Sequence, residues 1–242
     1  MYSLNTNNTD DQSEHITGPF INSIRHEAKI QNIAVSIGVH ERTKDTLKLM
    51  NSHILIENSG DILAVYRKIH LFDVNILNGP SLQESSSTIQ GSKACFNQAS
   101  ILPPVDCSVG KIGLGICYDL RFPEQSLILR KKGMEIMTYP SAFTVTTGRA
   151  HWEILIRSRA IETQSFVVAA AQVGQHTEKR QSYGNSMIVD PWGTVLATCG
   201  DAYPVIASAD IDLNVLEKIR AEMPVMGHRR NDLYTCEYLD DN

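Results

Sequence analysis

The spacing of apolar positions divides the chain into alternating helices and strands. After a polar stretch over residues 1–18, Phe20, Ile21, Ile24 and Ile30 recur at helical spacing, so 19–31 is expected to be a helix. Ile33 to Val39 is a continuous β-rich run, expected as a strand covered on both faces. Ser52–Ile56 and Ile62–Tyr66 flank Glu57-Asn58-Ser59-Gly60-Asp61 and predict a hairpin. Residues 73–106 carry no period and contain Gly79-Pro80, Ser85-Ser86-Ser87 and Pro103-Pro104, which reads as a long loop.

Beyond it, Ile112–Ile116 and Ile136–Tyr139 predict strands, with a helix over 123–132 stopped at Gly133. His151–Glu162 predicts a second helix, and Ser165–Gln172 a strand. Ser186–Asp190 and Thr194–Thr198 flank Pro191-Trp192-Gly193 as a further hairpin, Val205–Asp210 is expected as a last strand, and Leu213–Glu222 as a last helix. About eight strands and four helices follow from this reading. The hairpins argue against a purely parallel sheet and for an α+β layered arrangement. The organisation expected is a flexible lead-in over 1–18 followed by one domain over 19–242.

Composition narrows the function classes. The chain has 242 residues, 42% hydrophobic and 20% charged, enough for a sizeable core. A formal charge of −5 gives no bulk attraction to phosphate backbones or anionic lipid, so nucleic acid and membrane are not expected partners. The basic runs Arg130-Lys131-Lys132 and Arg229-Arg230 are short enough to be solvated helix ends. Five cysteines at irregular spacing, without a Cys-x-x-Cys pair, suit a reducing compartment, and the cytosol is the default location. The eight histidines show no metal-ligand spacing, and no phosphate-binding glycine loop is present. No metal or other cofactor is expected.

Two segments carry candidate chemistry. In Gly113-Leu114-Gly115-Ile116-Cys117-Tyr118-Asp119-Leu120-Arg121-Phe122-Pro123-Glu124, a buried strand runs into Cys117 and a helix begins about six residues later. A thiol on a tight strand-to-helix turn is exposed at the sheet edge, where following backbone N–H groups form an oxyanion hole. The bland alternative is a small inert core cysteine. In Tyr66-Arg67-Lys68-Ile69-His70-Leu71-Phe72-Asp73, a strand ends at Lys68, a cation that favours thiolate and stabilises an oxyanion when it neighbours a cysteine. Alone, Lys68 reads as an edge-strand lysine and Glu84 as a solvated carboxylate.

Together the segments at 66–73, 115–124, 140–153, 159–164 and 190–195 resemble the nitrilase superfamily of carbon–nitrogen hydrolases, over about residues 33–234. The resemblance implies a four-layer α-β-β-α sandwich that self-associates, as a homodimer or higher oligomer, through a helical face. It also implies Cys117 as nucleophile, Lys68 as the catalytic cation, Glu84 as the carboxylate orienting it, and the Tyr118 N–H as oxyanion donor. The reaction implied is thiolate attack on the amide of a small molecule, loss of ammonia, and hydrolysis of the thioester. Arg121, Phe143, Thr144 and Trp152 are candidates to line the pocket, against a structural alternative in which Arg121 pairs with Glu124 or Asp119 and Trp152 is core. Within the superfamily the segments look most like amidases of deaminated glutathione, with omega-amidases acting on α-ketoglutaramate as the alternative. In similar proteins an opening strand and helix lead to a second strand ending in Phe-Pro-Glu, and that Glu is the general base. Met1-Tyr2 looks like a position just beyond it, so an N-terminally truncated, incomplete domain lacking the opening strand-helix segment is expected. Neither Glu14 nor Glu27 sits in such a motif, which leaves a non-catalytic binding protein as the competing class.

Overall fold

The computed structural model describes residues 13–42, 49–75, 81–88, 101–178, 180–201 and 205–237. Much of the 1–18 lead-in, Gly79-Pro80 and Cys95 lie outside them. The backbone forms two compact units, one comprising 1–100 with 107–109, the other 101–106 with 110–242. Among the described residues there are thirteen strands and four α-helices, more strands than expected. The additional ones are short and polar.

The first unit is a helix on a three-stranded antiparallel sheet. Helix α1 (Pro19–Gln31) starts with Pro at its first turn, where no N–H is needed, and ends at Asn32 in the left-handed region. Its free N-terminal N–H groups are taken by a side chain from outside the helix. Phe20 N donates to Glu14 Oε2 at 3.1 Å and Ile21 N to Oε1 at 2.7 Å. The sheet has the order β1 (Val35–Glu41), β2 (Met50–Ile56), β3 (Ile62–Arg67). Ile21 and Ala28 of the helix join Val39, Ile54 and Ile56 in one buried cluster. The strand buried on both faces is β2, all seven residues of it, because it is central. In β1, Ser36 is exposed and Val35 and Ile37 are half-buried, so covering on both faces fails for its first half. The β2–β3 turn is tied to α1: Gly60 has φ 86, and a Cβ there would lie 2.7 Å from Arg25 O, while Arg25 Nε donates to Gly60 O at 2.8 Å. The region read as a long loop contains an antiparallel pair, β4 (Asp73–Asn75) and β5 (Ser81–Gln83), and a 3₁₀ turn at Glu84–Ser86.

The second unit is built on a six-stranded mixed sheet. In chain order its strands are β6 (Val105–Cys107), β7 (Gly110–Leu114), β8 (Ile136–Thr138), β9 (Phe166–Ala169), β12 (Met187–Val189) and β13 (Val195–Thr198), and they lie side by side in that sequence. Strands β7, β8 and β9 are parallel, joined by crossover helices α2 (Pro123–Lys131) and α3 (Val145–Thr163). Strands β9, β12 and β13 are antiparallel. Trp152, Ile156 and Ala160 of α3 repeat every four residues and pack, wholly buried, on Val167, Ala169, Met187 and Val189. Helix α3 begins six residues earlier than expected. Thr144 caps it, accepting from Thr147 N, and Gly148 lies so close to Tyr183 that a Cβ would come within 2.3 Å of its ring.

A hairpin of β10 (Val173–Thr177) and β11 (Arg180–Tyr183) was not anticipated. The strand expected over Val205–Asp210 does not form: these residues belong to no ladder, and Ile206 is 95% exposed. Helix α4 (Leu213–Glu222) has the expected limits. Arg229-Arg230 lies beyond it between two turns rather than at a helix end, with Arg230 paired to Asp232. No helix among the described residues is long and apolar enough to cross a membrane.

Candidate active site

The cysteine turn in the second unit is built by close packing. Strand β7 is followed by Gly115, where a Cβ would lie 2.6 Å from the Tyr139 ring and 2.8 Å from Met137 Cε. Only glycine allows the chain to pass so near its neighbour strand. Gly115 N donates to Thr138 O at 3.0 Å, and Cys117 N to Pro140 O at 3.1 Å. Between these bonds the chain turns: Ile116 is extended, and Cys117 has φ 47. A non-glycine residue there stores strain of about 1–3 kcal/mol, held only if its surroundings insist on it.

Asp119 supplies that insistence. It is wholly buried, its Oδ2 accepts from Ile116 N at 2.8 Å, and its own N donates to Ile116 O at 2.9 Å. A second brace comes from α3, where buried Arg159 donates from Nε to Leu120 O at 2.9 Å and pairs with Glu162. The 3₁₀ turn Cys117–Arg121 passes through Phe122 into Pro123, the first residue of α2. The Cys117 side chain is half-buried against the core cluster. Beneath the turn, burial pushes the Tyr139 phenol well above its usual range, so it stays neutral.

Arg121 pairs with neither Glu124 nor Asp119 in any described ion pair. Its guanidinium stands over two rings, 5.8 Å from the centroid of Tyr118 and 5.5 Å from that of Phe143, and its NH2 lies 3.1 Å from His151 Nδ1. Such a guanidinium, half-exposed over aromatic faces, is stacked in place without losing its fork to a carboxylate. Thr144 is half-buried and engaged in the cap of α3. Trp152 is a core residue rather than a pocket wall: it is fully buried, its ring lies 4.8 Å from that of Phe143, and Nε1 donates to Asn185 O at 2.7 Å.

The first unit holds the second candidate group. Lys68 follows β3 and is 2% exposed, with its N bonded to Asn51 O at 2.9 Å. Its Nζ lies 2.8 Å from Glu84 Oε1 and 2.6 Å from Oε2. Phe72 N donates to Oε2 at 2.6 Å, and Asn51 Nδ2 donates to Oε1. Each carboxylate oxygen thus has two donors, as a buried charge requires. Lys68 and Glu84 are therefore an internal ion pair rather than the edge lysine and solvated carboxylate of the bland reading. Asp73, beside this turn, is held below the usual carboxylate range mainly by the Ser85 N–H.

Several of these partners had no visible signal in the sequence. Asn51 reads as one polar residue at a strand start, and Arg159 as one of several helix arginines. Asp119, two positions after Cys117, could have been found as a side chain able to bond its own turn. Glu14 is accounted for as the cap of α1, and Glu27 is exposed on that helix. Among the described residues no group of three or more His, Cys, Asp or Glu is placed to hold a metal.

Comparison with known proteins places the chain. It is 50% identical over 226 residues to deaminated glutathione amidase of Bos taurus, an alignment covering 92% of this chain and 66% of that protein. It is 50% identical over 227 residues to the nitrilase and fragile histidine triad fusion protein NitFhit of Drosophila melanogaster, covering 93% of this chain and 47% of that one. The chain thus spans a little under two thirds of the first relative and about half of the second. The crystal structure of the C. elegans NitFhit protein superposes with a TM-score of 0.83 at 45% identity, over 91% of this chain and 52% of that one. The model of the carbon–nitrogen hydrolase family matches residues 2–221, and the chain belongs to that family.

Proposed function

We propose that this chain is a thiol amidase acting on a small carboxylate-bearing amide, of the deaminated glutathione type. The observation that carries the reading is Cys117 itself, a non-glycine residue at φ 47 held by the Pro140 carbonyl and the buried Asp119 carboxylate. Strain of this kind is retained where it positions a nucleophile. The Cys117 thiolate attacks the amide carbonyl, forming the C–S bond. The oxyanion is stabilised by the Lys68 ammonium and the Tyr118 N–H, and collapses as the amide nitrogen takes up the proton that the Cys117 thiol gave up and leaves as ammonia. Water then cleaves the thioester, returning the thiol and releasing the carboxylic acid.

Glu84, with both oxygens engaged by Lys68, fixes that ammonium rather than moving protons. Arg121, stacked on Tyr118 and Phe143, binds the substrate carboxylate, and Thr144 stands one residue from Phe143 on the same wall. No carboxylate described in this chain is assigned as the base that activates water. The exposed apolar side chains Ile154 and Ile161 of α3 and Trp192 of the neighbouring turn, 66%, 47% and 62% exposed, are assigned to self-association. The test is release of ammonia from deaminated glutathione and from α-ketoglutaramate, compared with the Cys117→Ala chain. Release from the first above that background supports the reading. Preference for the second reassigns the substrate, and no release or acylation with either removes the amidase reading.

A further inference from the structure

The Lys68–Glu84 pair depends on a third residue that the reaction scheme leaves unused. Asn51 is 3% exposed and lies within β2, paired with His40 of β1 and one residue before Ser52, which faces Arg67 of β3. Its backbone O accepts from Lys68 N, and its side-chain Nδ2 donates to Glu84 Oε1. One residue therefore holds both partners of the ion pair, the lysine by its main chain and the carboxylate by its amide. The direction of that amide is fixed by electrostatics: with Oδ1 turned to the carboxylate, lone pairs would face lone pairs. Its Oδ1 is instead buried with no hydrogen-bond partner among the described residues. A buried acceptor left unpaired costs about 1–3 kcal/mol, so a purely packing role would be better filled by an apolar side chain.

We propose that Asn51 is a positioning residue for Lys68, setting the direction of its ammonium by locking the Glu84 carboxylate in one rotation. The inference rests on the reading that Lys68 serves acylation of Cys117. Without the Asn51 donor, Oε1 keeps only Lys68, and carboxylate and ammonium are free to rotate together away from the working direction. A catalytic group misplaced by about 1 Å can lose about 100-fold in rate.

The test is single-turnover acylation by p-nitrophenyl acetate, read as p-nitrophenolate released, with the Cys117→Ala chain as background. Four proteins are compared from about pH 5 to about pH 9: the parent, Lys68→Met, Asn51→Ala and Asn51→Asp. The groups facing Asn51 are Glu84 from the 3₁₀ turn, Lys68 after β3 and His40, its register partner on β1, and His40 is common to all four. Lys68→Met is expected to slow acylation about 100-fold or more. Asn51→Ala is expected to slow it about 10-fold with half-saturation unchanged. Asn51→Asp places a second carboxyl against Glu84, and when protonated that carboxyl donates as the amide did. It should match the parent on the acid side and fall to the Asn51→Ala rate on the alkaline side. A packing role alone would not produce this limb, and the acid-side rate remains informative where Asn51→Ala fails to fold. If Lys68→Met is slow but Asn51→Asp shows no such limb, the positioning role is overturned and that of Lys68 stands. If Lys68→Met matches the parent, the role of Lys68 falls, and this inference with it.

Discussion

Removing Glu84 while leaving Lys68 should destabilise the first unit more than removing both charges together. At the observed separations of 2.6 and 2.8 Å, an effective dielectric of about 20 gives roughly 6 kcal/mol of gross attraction. Desolvation of two ions, several kcal/mol each, offsets most of it, so the net worth of the intact pair is small. Glu84→Ala forfeits the attraction and keeps the lysine desolvated, and it removes the carboxylate that accepts from the Phe72 N–H and the Asn51 amide. The expected loss is about 3–5 kcal/mol, a large part of a total near 5–15 kcal/mol. The double variant Lys68→Met, Glu84→Leu replaces both charges by apolar groups and should lose less than Glu84→Ala alone. Urea denaturation followed by circular dichroism at neutral pH gives both numbers from the shift in midpoint at constant slope. A Glu84→Ala loss below about 1 kcal/mol, or a double variant less stable than the single, would refute the description of Lys68–Glu84 as a buried pair with mutually dependent charges.

Three other outcomes follow from named contacts. Gly115→Ala drives a methyl into Tyr139 and Met137 and should cost about 1–3 kcal/mol in thermal unfolding; an unchanged melting temperature contradicts the close approach. Glu57, bonded by Ser108 and the Asn58 N–H, is held down to about 2 from 4.5. Because the folded value is the lower one, its contribution is fully present above about 4.5 and is lost as pH falls through about 2. A Glu57 carboxyl resonance titrating near 4.5 by NMR would contradict the bonding. Limiting iodoacetamide should label Cys117 before Cys107, Cys199 and Cys236, although Cys117 packs against the core cluster; peptide mass spectrometry showing another cysteine labelled first counts against the site.

Much of this was legible where one physical signal dominates. Helices α1 and α4 carry clean apolar stripes and match their expected limits, and the β2–β3 hairpin follows from two β-rich runs around Gly60. The start of α3 was hidden because Val145-Thr146-Thr147-Gly148 has poor helix propensity. It is helical through the Thr144 cap and the packing of Gly148 on Tyr183, which are tertiary facts. Strands β4, β10 and β11 are short and polar, and their pairing leaves no alternation to detect. Residues 205–210 show the converse, a largely apolar run that joins no ladder among the described residues. At the candidate site, Cys117 was readable because a strand-to-turn-to-helix pattern is local. The pairing of Lys68 with Glu84 spans a stretch without periodicity and was accessible only through family resemblance. The role of Asn51 lies in which residue it faces, which no single-chain pattern encodes.

The central claim of the proposed function is that Cys117 is the nucleophile and is acylated by substrate. The most direct measurement is the intact mass of the protein, quenched in acid shortly after mixing with an activated ester, with peptide mapping of the modified residue. The account predicts a mass increase of one acyl group, located on Cys117 and absent from the Cys117→Ala chain. An unmodified Cys117 with product still released, or an acyl group carried by another residue, would contradict it.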